Sequence, residues 1–108
     1  MNESVWDRDG GRCFKCGKPV GENWPGYSFH HRQSRSLGVN SPDNLILLCG
    51  SGTTGCHGWV HGHPKLSRDE GWIVSKYIAA EEIPRQPVLH YQLGRIYLDQ
   101  HGGWELAA

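Results

Sequence analysis

Two sets of side chains in this sequence have the types and spacing to bind metal ions. The first is four cysteines, Cys13, Cys16, Cys49 and Cys56, arranged as C-x2-C and C-x6-C. A C-x2-C pair places two thiolates on one side of a tetrahedral ion. The second pair is wider, but the insert between Cys49 and Cys56 contains three glycines and can bend back on itself. Four thiolates around one zinc close its coordination shell, so such a site is structural. Disulfides or free buried thiols are the alternative reading of the same residues.

The second set is the histidines. His30 and His31 are adjacent, and His57 and His61 are four residues apart. On a helix, an i, i+4 pair shares one face, so His57 and His61 can reach one ion. On a strand, adjacent residues point to opposite sides, so His30 and His31 are not equivalent unless the strand ends between them. His63, His90 and His101 have no such partners. A rival set, Cys13, Cys16, His57 and His61, has the composition of a two-Cys, two-His zinc finger. Forty residues lie between its two pairs, where that motif uses about twelve, and it leaves the remaining cysteines and histidines unused.

The elements that must carry these residues are short. Residues 3–9 form a helix with Ser4 as its cap, followed by a metal-binding turn at Cys13–Cys16 and a loop over 18–26. Tyr27–His31 alternates like a half-buried strand, 33–43 is polar and ends in a Ser-Pro-Asp turn, and Leu45–Leu48 is a buried strand. A helix begins near Cys56, and a second helical segment starts at Pro64 and stops at Gly71. Trp72–Val74 begins an extended piece, and 88–104 holds two or three strands. The order of the first half is knuckle, strand, loop, strand, helix.

The bulk composition fits such a chain. It has 108 residues, with fifteen Gly and six Pro, which is one domain with little apolar surface to bury and a need for a staple. No apolar run is long enough for a signal peptide or a membrane span, so a reducing, cytoplasmic compartment is expected, where paired cysteines bind metal more often than they form disulfides. Net charge is zero, but residues 1–68 carry eight Lys/Arg against five Asp/Glu, and 69–108 carry three against six. The half that holds the candidate ligands is the basic half.

The ordered motifs resemble a known family. Arg8-Asp-Gly-Gly-Arg-Cys-Phe-Lys-Cys16, then His30-His-Arg32, then Pro42-Asp-Asn-Leu-Ile-Leu-Leu-Cys49, then Cys56-His-Gly-Trp-Val-His61 is similar to the HNH endonucleases, and most similar to the small zinc-stapled HNH proteins of tailed bacteriophages. The resemblance covers about residues 5–75. It implies an α+β fold, a ββα-metal (His-Me finger) core stapled by a four-cysteine structural zinc, with domain bounds 1–75 and a short β-rich extension over 76–108 packed on the same domain. The departures are the long Cys49–Cys56 loop and the absence of an acidic ligand.

The resemblance also assigns roles. His31 matches the general base, Asn44 the central Asn, and His30, His57 and His61 the ligands of a catalytic divalent ion (Mn²⁺, Co²⁺, Ni²⁺ or Mg²⁺). Asn44 is expected as a strut for the His31 loop rather than a substrate contact, against a plain turn or cap role. Arg32, Arg35 and Lys65 are candidate DNA phosphate contacts, each of which also reads as a solvated charge. Trp59 reads as core, not as a stacking platform for bases. DNA is the implied partner, with a phage terminase beside it and the host cytoplasm as the compartment. The alternative function is a non-catalytic zinc module that binds DNA or protein.

Overall fold

Asn2 starts the first helix. Its side chain accepts the Val5 amide at 3.1 Å, and α1 (Glu3–Asp9) ends at Gly10 in the left-handed conformation. Ser4, the cap expected from the sequence, therefore sits inside the first turn. The last residues of α1 pin it to the sheet. Arg8 and Asp9 form an ion pair at 2.8 Å. The Arg8 guanidinium donates to the carbonyls of Pro42 and Leu45 at 2.7 and 2.6 Å, and the Asp9 carboxylate accepts the Leu47 amide at 2.9 Å.

The chain is seen here in a computed structural model that describes residues 2–21, 26–34 and 40–107. It is α+β, with a two-stranded and a three-stranded antiparallel sheet. Strand β1 (Tyr27–His31) pairs with β2 (Leu45–Cys49), with His31 opposite Leu45 and Tyr27 opposite Cys49. β2 is buried along its whole length, as its continuous apolar sequence requires. The cysteine turn docks on it through Phe14, whose amide donates to the Leu47 carbonyl at 2.7 Å.

After β2 the chain doubles back over 50–55. Gly50 has φ +87°, and a Cβ there would lie 2.1 Å from the Thr54 carbonyl oxygen. Only glycine lets the two ends of this loop touch, which is how a C-x6-C pair closes. Helices α2 (Gly55–Gly62) and α3 (Pro64–Asp69) follow, and the chain turns at Gly71, where the sequence places the stop.

Trp72–Val74 does not enter a sheet. It runs beside the end of β1, with the Val74 amide on the Arg32 carbonyl at 3.0 Å. A 3₁₀ helix (Ala80–Arg85), absent from the sequence reading, leads to β3 (Val88–His90), β4 (Gly94–Leu98) and β5 (Trp104–Leu106), in the order β3-β4-β5. Val88, Ile96 and Leu98 join Cys13, Phe14, Ile46, Leu48, Val60 and Trp72 in one core. The extension thus completes the core of the first half. Among the described residues no helix is long and apolar enough to cross a membrane.

Arg32 corrects an expectation. It is 1% exposed, so it does not reach a phosphate. Its guanidinium donates to the carbonyls of Gly71, Asp43 and Gln86 at 2.8, 2.9 and 2.9 Å. Burial, with Arg8 nearby, lowers its pKa to about 10, so it stays charged at neutral pH. One fork ties three distant segments behind the hairpin, a geometry a lysine cannot copy. Arg32→Met should strand three carbonyls and cost roughly 3–5 kcal/mol, with Arg32→Lys recovering little of it. Urea unfolding would measure both, and a loss under 1 kcal/mol for Arg32→Met would refute the clamp.

Candidate metal centre

The four cysteines come together. Their Sγ atoms all lie within 4.8 Å of one another, with Cys16 and Cys49 at 3.9 Å. That is far beyond a disulfide bond, about 2.05 Å, and close to the edge of a tetrahedron with ~2.3 Å zinc–sulfur bonds, about 3.8 Å. The Cys56 amide donates to the Cys49 sulfur at 3.4 Å, the kind of backbone bond that stabilises a thiolate. Burial pushes the Cys13 thiol up, and burial with the neighbouring Cys13 charge pushes Cys56 up. Four thiolates packed this closely repel one another unless a cation lies among them. The cluster could hold a structural metal such as zinc. Lys15, inside the turn, lies over the Trp59 and Trp72 rings at 4.2 and 4.9 Å, and Trp59 also stacks on His63 at 4.1 Å.

The histidines form a second, separate cluster. Ligand nitrogens of His30, His57 and His61 lie within 4.8 Å of one another. The structure therefore does not combine Cys13 and Cys16 with His57 and His61. Two of the three tautomers follow from their partners. His30 Nε2 faces the Trp72 carbonyl at 2.8 Å. A carbonyl only accepts, so Nε2 carries the proton and Nδ1 keeps its lone pair. Ser28 Oγ donates to the Gly50 carbonyl at 3.0 Å and meets His57 Nδ1 at 2.5 Å. Its one proton is spent on Gly50, so His57 Nδ1 is the donor and Nε2 is free to bind. That Nε2 faces His61 Nε2 at 3.0 Å. Such outer partners fix ring orientation in metal sites.

Burial keeps two of these rings, His30 and His57, neutral. His30 is 3% exposed. Burial foremost, then the facing His57 and His61 rings, lowers its pKa to about 3, although the bond to Trp72 opposes this. Burial and His61 lower His57 to about 4. Two neutral imidazoles, each with one unprotonated nitrogen, fit a borderline divalent ion. The described residues add no carboxylate to the cluster. Asp43, the nearest acid in sequence to Asn44, is fully buried elsewhere, with Oδ1 bonded to Ser41 Oγ and Oδ2 lacking a hydrogen-bond partner.

His31 ends β1 and lines the same cleft as the other three histidines. Its Nε2 meets Asn40 Oδ1 at 2.8 Å, which leaves Nδ1 as the basic atom of the neutral ring. Asn44 is buried behind it. Its Oδ1 accepts the Gln33 amide at 2.7 Å and its Nδ2 donates to the Gln33 carbonyl at 3.3 Å, bracing the turn after His31. Lys65 is exposed on α3, and Arg35 lies outside the described residues. The cleft has a volume of about 660 Å³ and is walled on its far side by Ile73, Val74, Ser75, Lys76 and Tyr77. Ser28, Asn40 and this 73–77 wall were not singled out in the sequence. Each acts through tertiary contact, and only the strand phase of Ser28, two residues before His30, hinted at its place.

No family model matches the chain, and neither a curated protein nor a solved structure does.

Two outcomes follow. The protein should purify with about one zinc per chain, and Cys16→Ala should lose both the zinc and the fold. Elemental analysis and circular dichroism read this directly, and a metal-free protein with a cooperative melt would refute it. The second outcome concerns pH. An unfolded His30 takes a proton below about 6.5, while the folded one refuses it until about 3. The unfolded state then binds more protons, so stability is full above pH 6.5 and falls as pH drops through this window. Between pH 7 and 5 His30 should remove about 2 kcal/mol, and His57 adds to it in the same direction. Urea unfolding of His30→Gln should show a shallower pH slope than wild type, and equal slopes would sink the assignment.

Proposed function

We propose that this protein is a metal-dependent DNA endonuclease of the HNH type, built on a ββα-metal core. The observation that carries the reading is the convergence of two histidine pairs, some thirty residues apart in sequence, on one cleft. Three imidazoles, from His30, His57 and His61, face each other there, and a fourth, from His31, stands on the cleft wall outside that cluster. They come from β1 and from α2, with β2 between the two in the chain. This matches the order that the motif resemblance implies.

A divalent ion held by His30, His57 and His61 would supply positive charge for the phosphate and the departing 3′ oxygen. The chain's own groups supply the rest. His31 Nδ1 accepts a proton from water as the water oxygen forms its bond to phosphorus and the bond to the 3′ oxygen breaks. Asn40 holds the other nitrogen of that ring. A base so placed is worth roughly 10²–10⁴-fold. Asn44 positions His31 through Gln33 and has no need to touch substrate. A role in phage DNA processing or packaging beside a terminase, in the host cytoplasm, belongs to the same proposal and rests on the motif resemblance.

The test is cleavage of supercoiled plasmid by protein that retains its structural zinc. Imidazole ligands favour borderline ions, and Mg²⁺ prefers oxygen, so Mn²⁺, Co²⁺ or Ni²⁺ should support cutting better than Mg²⁺. His31→Ala should keep the melt and DNA binding and lose about 10²-fold or more of the rate. His57→Ala should weaken binding of the second metal. DNA binding without cleavage under every ion would instead leave a zinc module that binds without cutting.

A further inference from the structure

The cleft wall formed by 73–77 has a built shape and carries an exposed aromatic. Tyr77 is 87% exposed, although the turn that presents it is held from inside. The Gln33 side chain, itself 2% exposed, donates to the carbonyls of Ser75 and Ile78, both at 3.0 Å. The Tyr77 amide donates to Ser75 Oγ at 3.1 Å. Gln33 is in turn the residue whose backbone Asn44 braces. One buried amide thus ties the turn that carries Tyr77 to the strand end that carries His31. A phenol ring left in water on a clamped turn buries nothing for the fold.

The cleft between Tyr77 and the histidines has the volume of a small-ligand site. Phe29, Ile73 and Val74 give it an apolar wall, and Arg68 and Lys76 are its exposed cations. No described residue that lines it is acidic. Lys76 Nζ sits 5.2 Å from the Tyr77 ring centre, on one face, and the exposure of the ring leaves the other face to solvent. An apolar slot, two cations and an aromatic face suit a base, its sugar and the flanking phosphates. Paired bases inside a duplex offer only their edges, because both faces are already stacked.

The geometry points to a subsite for one unpaired nucleotide beside the scissile phosphate, with its base stacked on Tyr77 and its phosphates on Arg68 and Lys76. The protein then prefers single-stranded or locally opened DNA to intact duplex. This inference rests on the nuclease reading above and names the substrate form for the same cleft.

The test uses the zinc-loaded His31→Ala protein and a labelled 12-residue oligonucleotide, either single-stranded or annealed to its complement, followed by fluorescence anisotropy. The single strand should bind at least tenfold more tightly. Adding Tyr77→Ala should weaken single-strand binding about 5- to 100-fold, change duplex binding less than twofold, and leave the melt unchanged, since the ring is exposed. Tyr77→Trp should restore the affinity. Lys76→Ala and Arg68→Ala should each lower the salt slope by about one. Equal or tighter duplex binding, or no effect of Tyr77→Ala on the single strand, overturns the inference. Plasmid cleavage by the wild-type protein in parallel separates the two readings. Cutting with a silent Tyr77 removes the subsite alone. Tyr77-dependent binding without cutting removes the nuclease alone. Neither cutting nor binding removes both.

Discussion

Cys56 and His57 are neighbours in the chain, and this adjacency couples the two clusters. Whatever holds the four sulfurs together sets where α2 begins. The start of α2 sets where His57 and, one turn later, His61 project. A second link runs through the backbone. Cys49 precedes Gly50, whose carbonyl accepts a hydrogen bond from the Ser28 hydroxyl, and Ser28 Oγ in turn accepts one from His57 Nδ1. The cysteine cluster thus acts on the histidine site through a helix start and a hydrogen-bonded relay. In a chain with fifteen glycines and a small core, such fixed points supply the rigidity that extensive apolar packing gives to larger domains.

Behind the hairpin lies a second set of constraints, all polar. Arg32, Gln33, Asp43 and Asn44 are buried together near the end of β1. Arg32 gathers the carbonyls of three segments, Asn44 brackets Gln33, and Gln33 clamps the 75–78 turn. A buried charge without partners would be costly, but here each nitrogen of the fork donates to a carbonyl. Apolar residues of the same volume could fill this space. They could not fix the direction of a turn, because dispersion is non-directional and hydrogen bonds are not.

What was legible in the sequence were the features that local chemistry dictates. The cysteine pairs, the alternation of Tyr27–His31, the apolar run of β2 and the Gly71 stop all correspond to observed structure. Spacing also placed His57 and His61 on one helix face. Arg32 was misread because burial of a cation depends on carbonyls 11, 39 and 54 residues away, which no local pattern shows. Trp72–Val74 was read as the start of an extended piece after the Gly71 stop, yet it joins no sheet: Ile73 and Val74 line the cleft, and the Trp72 carbonyl faces His30. The helix cap moved from Ser4 to Asn2 because both are capping residues, and sequence does not rank two so close together. Side-chain partners such as Ser28 and Asn40 are tertiary facts, settled by strand pairing and by the return of the loop.

The two clusters differ in the way their roles would require. Thiolates are soft, charged and four in number, so an ion among them is saturated and shielded. The imidazoles are three and borderline. An ion held by them would keep most of its charge, because the ligands are uncharged when neutral. The surroundings follow the same division. Lys15 and the Trp59 and Trp72 rings pack near the cysteine turn, whereas the histidines open onto a cleft of about 660 Å³ with Arg68 and Lys76 at its edge. Burial holds His30 and His57 unprotonated, so protons do not compete for their lone pairs near neutral pH, while His31 at the strand end remains partly open to solvent. Adjacent residues on one strand thus have opposite surroundings. Both line the cleft, but His30 is buried against the Trp72 carbonyl, as a fixed ligand would be, whereas His31 is partly open to solvent, as a proton-exchanging base would need to be.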